Sequence, residues 1–219
     1  MWKNYGDFRL FQGWYTVPMQ SIGIFGGTFD PPHIGHLILA AEAQSEFKLE
    51  RLLWVLTPDP PHKQNKAVTS LSYRQAMVEL ALAGNPDFEL SRADMDRPGP
   101  HYAVDTVKII AGQHPGARLM YLMGGDSLRD LPTWHDPAGF LAACDSIGVL
   151  RRPKARADMD ALEKKIPDIG KKVCFMDAPL LDIAAHDIRE RVAQGRPFRY
   201  YVPEKVYEYI LENRLYPKK

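Results

Sequence analysis

Cysteine is scarce in this chain, with only Cys144 and Cys174 in 219 residues. Two thiols do not make a disulfide-stapled scaffold. Both lie in apolar, strand-like surroundings (Ala142-Ala143-Cys144 and Val173-Cys174-Phe175), which predicts buried free thiols in a reducing compartment. Excess charge of either sign is missing too: 28 basic against 27 acidic residues leave a formal net charge of +1. That balance gives no electrostatic footprint for nucleic acid or an anionic membrane. No apolar run approaches the roughly 20 residues that a membrane helix needs. The first residues lack the basic-then-apolar order of a secretory signal. The expectation is a cytoplasmic protein with neither nucleic acid nor membrane as partner. Internal repeats and low-complexity segments are absent, which excludes a solenoid.

What is present is an alternation of short apolar runs with helical periodicity. The runs at Ile22 to Phe25, Arg51 to Thr57, Phe88 to Leu90, Arg118 to Met123, Asp145 to Leu150 and Val173 to Met176 read as strands. Helical patterns follow His36, span Arg74 to Ala83, pass through Val107, Ile109 and Ile110, and close the chain at Glu204 to Asn213. Strand and helix in turn predict an α/β fold with a doubly wound, mainly parallel sheet and a small C-terminal helical part. Residues 21–219 are read as one domain. Residues 1–20, rich in aromatics, are read as an extension: either disordered and translated from an early start, with Met19 the alternative, or docked on the body or on a second subunit. The charged stretch Arg151 to Lys172 reads as a solvated surface helix.

The stretch Ser21 to His36, SIGIFGGTFDPPHIGH, organises the rest. A strand ends at Gly26-Gly27, where no side chain stands between backbone N–H groups and a ligand. Thr28 adds a hydroxyl, Asp30-Pro31-Pro32 stiffens the loop, and His33-Ile34-Gly35-His36 opens a helix. Free N–H groups and the helix dipole at such a turn suit a phosphate. Histidines three residues apart share one helix face. As half of a zinc site they would need further ligands at readable spacing, and none accompanies them. The stretch is neither G-x-G-x-x-G nor a P-loop. A second glycine turn, Gly124-Gly125-Asp126-Ser127, follows the fourth strand. In an open parallel sheet, ligands bind where the strand order reverses, so the first and fourth strands should flank the crevice.

GGTFDPPHIGH resembles the H-x-G-H motif of the nucleotidyltransferases, a Rossmann-like superfamily, and bacterial nicotinate-mononucleotide adenylyltransferases in particular. The resemblance runs from about Ser21 to Tyr216 and includes Pro60-Pro61-His62-Lys63, Gly124-Gly125-Asp126-Ser127 and the stretch to Trp134. It implies adenylyl transfer from ATP to nicotinate mononucleotide, giving deamido-NAD and pyrophosphate. His33 and His36 would be catalytic. Gly26, Gly27, Thr28, Phe29, Gly124, Asp126, His186 and Arg189 would bind ATP, with Asp126 on the ribose hydroxyls. Thr28, His62, Lys63, Tyr102, Asp105, Thr106 and Trp134 would bind the mononucleotide, Trp134 by stacking on the pyridine ring. A core or interface tryptophan is the plainer alternative for Trp134, and a solvated loop for His62-Lys63. Mg²⁺ would arrive with ATP, since no carboxylate cage for a resident metal is evident. A homo-oligomer is compatible with the sequence.

The chain departs from the family pattern twice. His101-Tyr102-Ala103 stands where Ser-Tyr-Thr is usual, removing a hydroxyl from the nicotinate carboxylate and leaving nicotinamide mononucleotide as an alternative substrate. Ala184-Ala185-His186 stands where Ser-Ser-Thr is usual, removing hydroxyls from the ATP phosphates. A nucleotide-binding protein without turnover is therefore the alternative from another class. Trp134 beside G-G-D-S argues against a phosphopantetheine substrate. The short chain, with no K-M-S-K-S stretch, argues against an aminoacyl-tRNA synthetase.

Overall fold

The computed structural model describes residues 20–59, 68–150, 157–179 and 181–218. The expectations for residues 1–19, for His62 and Lys63 and for Arg151 to Arg156 lie outside these. Six strands form one sheet: β1 (Ser21–Gly27), β2 (Arg51–Leu56), β3 (Phe88–Ser91), β4 (Arg118–Gly124), β5 (Ser146–Leu150) and β6 (Val173–Met176). Their order is β3-β2-β1-β4-β5-β6, and every neighbouring pair is parallel. The order reverses between β1 and β4, the crevice that the two glycine turns predict.

The near-continuous apolar strands are explained by burial on both faces. Alternate residues feed two separate layers. Ile22, Ile24, Leu53, Val55, Leu119, Ile147 and Val149 pack on one side, with Val107 and Ile110 of α3 (Ala103–Gln113) and Phe140 of α5 (Pro137–Ala143). Phe25, Leu52, Trp54, Leu56 and Leu122 pack on the other, with Ala40 and Ala43 of α1 (Ile34–Phe47) and Val78 of α2 (Leu71–Leu82). The C-terminal helices α8 (Ala185–Ala193) and α9 (Glu204–Glu212) build a third, smaller core of Ile188, Val206 and Ile210 around Met77 of α2. Among the described residues no helix is long and apolar enough to cross a membrane.

Several local expectations are corrected. Helix α2 begins at Leu71 rather than Arg74, with Ser70, a good N-cap type, at its start. The second glycine turn is itself helical, forming α4 (Gly125–Asp130). The charged stretch contains α6 (Met159–Lys165) and α7 (Ile169–Lys172) and buries Leu162, Ile169 and, between the two helices, Ile166, so it is more than a solvated face.

The two cysteines also differ. Cys144 is buried just after α5, but Cys174 is exposed, because β6 is an edge strand covered less completely than its neighbours. Burial pushes the Cys144 thiol up to about 12, so at neutral pH it is neither ionised nor reachable. A chromogenic disulfide reagent should therefore titrate a single thiol in the native protein and both after denaturation. Rapid reaction of both in the native state would contradict the burial of Cys144.

Candidate active site

The turn after β1 is shaped by two close approaches. A Cβ at Gly26 would lie 2.9 Å from the hydroxyl oxygen of Tyr121, and one at Gly27 would lie 2.7 Å from the ring of Phe29. Both glycines thus make room for aromatic side chains as well as for a ligand. Phe29 itself is in the left-handed region (φ 46°), with its ring buried against Phe25 and Trp54. Any contact of Phe29 with ATP falls to its backbone.

His33 and His36 follow at the entrance to α1. His33 is its N-cap and is 6% exposed. The rings stack with centroids 3.6 Å apart and planes 23° apart. A Cβ at Gly35 would come within 3.2 Å of the His33 ring, so the glycine of H-x-G-H permits the stack. The backbone N–H of His33 donates to Nδ1 of His36 at 3.2 Å. With Nδ1 an acceptor, the neutral ring of His36 carries its proton on Nε2, which becomes a donor.

A buried clamp beneath the turn escaped the sequence reading. Arg74 on α2 is only 2% exposed. Its guanidinium donates to the carbonyls of Thr28 (3.1 Å), Thr57 (2.8 Å), Pro58 (2.6 Å) and Thr69 (2.8 Å). It thereby ties the segments following β1 and β2 to the start of α2. Burial lowers its pKa, and the charges of Asp30 and Asp59 oppose that shift.

Asp30, also buried, is the second node. Its carboxylate accepts from the Thr69 backbone N–H (3.1 Å) and the Tyr216 hydroxyl (2.8 Å). Its carbonyl accepts from Arg189 on α8 at 2.7 Å. Arg189 thus reaches the histidine loop. His186 is largely exposed and pairs with Asp187 at 3.2 Å. Ala184 caps α8 with extended backbone and no side-chain bond, which leaves backbone N–H groups as donors there.

Between the ends of β1 and β4 lies a cleft of about 800 Å³. It brings Gly26, Gly27 and Thr28 together with Tyr102, Thr106 and Trp134, all expected site residues. Tyr102 stacks on His135 at 4.0 Å, and Trp134 meets the edges of Tyr121 and Phe140. Thr106 Oγ1 donates to the buried carboxylate of Asp94 at 2.7 Å, and Arg97 donates to the same oxygen at 2.9 Å. Asp94, His101, Ala103 and Tyr121 also line the cleft.

Asp105 is not part of that lining; it sits in the first turn of α3, where a carboxylate suits the helix dipole. Gly124 caps α4, and Asp126 lies in its first turn, half-exposed and 3.6 Å from Arg129. Gly26-Gly27-Thr28 therefore lines an aromatic cleft and leads into the loop that carries the paired histidines. Among the described residues no group of three or more His, Cys, Asp or Glu gathers as a metal site.

A doubly wound sheet with a glycine turn and paired histidines at its switch point defines a nucleotide-binding α/β protein. The cytidylyltransferase-like family model matches residues 24–191, and the chain belongs to this family and, within it, to the nicotinate-nucleotide adenylyltransferases. A protein of Thermomicrobium roseum described as a probable nicotinate-nucleotide adenylyltransferase is 46% identical over 90% of this chain and 92% of its own. The nicotinate-nucleotide adenylyltransferase of Bacillus subtilis is 37% identical over 90% of this chain and 99% of its own. Among solved structures, Plasmodium falciparum nicotinic acid mononucleotide adenylyltransferase complexed with NaAD superposes with a TM-score of 0.73 at 18% identity, covering 90% of this chain and 97% of that one. This structural likeness bears on the fold.

Proposed function

We propose that the protein transfers the adenylyl group of ATP to nicotinate mononucleotide, as a step of NAD biosynthesis in the cytoplasm. An oxygen of the acceptor's 5′-phosphate attacks the α-phosphorus of ATP in line. The bond from that phosphorus to the bridging oxygen breaks, pyrophosphate leaves, and nicotinate adenine dinucleotide forms. The observation that carries this reading is that Gly26-Gly27-Thr28 lines the aromatic cleft and runs on into the loop that carries the stacked histidines. The acceptor's ring occupies the cleft against Trp134 and its phosphate reaches the turn. The triphosphate lies across the start of α1 and α8.

Such a reaction asks the protein for positioning and charge stabilisation rather than a covalent nucleophile. The Nε2–H of His36 donates to the reacting phosphates, with His33 stacked beneath it. The N-terminal N–H groups of α1 and Arg189 add donors, and Thr28 holds the acceptor phosphate. The Asp126 carboxylate takes the ribose hydroxyls of ATP. Mg²⁺ comes bound to the phosphates of ATP and neutralises part of their charge.

The test is pyrophosphate release with MgATP and either mononucleotide. Fast release with the nicotinate form and slow release with the nicotinamide form is expected. Ala103 lines the cleft without a hydroxyl, so equal or reversed rates would reassign the substrate to nicotinamide mononucleotide. Binding of both nucleotides with no release would overturn the enzyme reading.

A further inference from the structure

Tyr121 reaches the cleft from the middle of β4, directly across from Ile24 of β1 in the sheet register. Its ring is held edge-on by Phe140 at 5.0 Å and by Trp134 at 6.3 Å. The hydroxyl lies over Gly26, at a spot that any side chain there would fill. Among the described residues none pairs with this hydroxyl. Thr106 of the cleft wall is already engaged, donating to Asp94, whose carboxylate also accepts from Arg97, whereas among the described residues Nδ1 of His101 is a second unpartnered polar atom of the lining. Burial, with the charge of Asp94 adding to it, raises the phenol well above its ordinary value, so it keeps its proton throughout the neutral range. A neutral donor with no partner, facing a cleft, is what a bound acceptor atom satisfies.

We propose that the Tyr121 hydroxyl is a binding residue for the acceptor substrate, donating a hydrogen bond to the sugar-phosphate end of the mononucleotide beside the Gly26-Gly27-Thr28 turn. The assignment follows from position: the hydroxyl stands at Gly26, the first residue of the phosphate turn, while the ring end of the cleft is occupied by Trp134, Tyr102 and His135. It rests on the adenylyltransferase reading above. It adds a donor from the strand floor, which the motif-bearing loops do not contain. Because ATP lies on the other side of the turn, the effect is confined to one substrate. Because the sugar-phosphate is common to both mononucleotides, it is blind to the ring substituent.

Tyr121→Phe tests this, since the phenyl ring keeps the packing against Phe140 and Trp134. The variant should raise KM for nicotinate mononucleotide about tenfold, the scale of one hydrogen bond to a charged group. KM for ATP and the melting temperature should not move, and kcat should change little. KM for nicotinamide mononucleotide should rise by the same factor wherever that substrate is turned over. Calorimetric titration of nicotinate mononucleotide should show the same loss without relying on turnover. An unchanged KM and Kd for nicotinate mononucleotide, beside normal wild-type turnover, would overturn the Tyr121 assignment alone. An equal rise in KM for ATP, or a loss for one mononucleotide only, would also overturn it. A wild-type enzyme that neither binds nor converts nicotinate mononucleotide would remove the reading on which it rests.

Discussion

Replacing His36 with alanine should depress kcat for pyrophosphate release by roughly a hundred- to a thousandfold, about 3 kcal/mol of transition-state stabilisation. The magnitude is that of one preorganised donor aimed at developing charge. His36 is preorganised twice over: its Nδ1 is fixed by the His33 backbone N–H and its face by the His33 ring. Alanine also removes the acceptor for that N–H, which costs the helix start about 1 kcal/mol. His36→Asn separates the two effects, because the amide oxygen can keep the N–H engaged. The asparagine variant should melt near the wild type yet remain slow. A His36→Ala protein with near-normal kcat would take His36 out of the chemistry.

Arg74 should matter as much to stability as His36 does to rate. Arg74→Met leaves four partly buried carbonyls without their donor, and the loss should be about 3 kcal/mol, as when a network around a buried charge is broken. In urea this appears as a lower midpoint with unchanged slope. Arg74→Lys should recover only part, because an ammonium cannot reproduce the planar fork that spans separate segments. Activity should fall with stability, since the Thr28 and Thr57 backbones are the walls of the turn and cleft. A midpoint unmoved by Arg74→Met would show that water replaces the guanidinium without cost.

These two residues mark how far the sequence could be read. The pairing of His36 with His33 was legible because it is local: glycines, loop and helix start are contiguous, and the spacing of the histidines determines their shared face. The sheet was legible for the same reason, since both switch-point strands end in their own glycine turns. Arg74 was not, because its partners are backbone carbonyls of three other segments, and a carbonyl leaves no mark in a sequence. Tyr121 hides in the apolar run RLMYLM, whose alternation gives the face of a residue but not how close it lies to the strand's open end. Cys174 was misjudged because an apolar strand at the sheet edge reads like one at its centre. Phe29 lies inside the motif, yet its ring belongs to the core beneath it.

Asp30 gives the histidine loop a history as well as a shape. Its carboxylate is held by the hydroxyl of Tyr216, 186 residues further along the chain, and its carbonyl by Arg189, 159 residues further. On the ribosome, β1 and the loop are made long before their anchors. A nascent chain can therefore complete much of its sheet while its histidine loop is still unanchored. The loop takes its final form only after Tyr216 has been synthesised, and a protease that cuts between Arg189 and Tyr216 would loosen it from a distance.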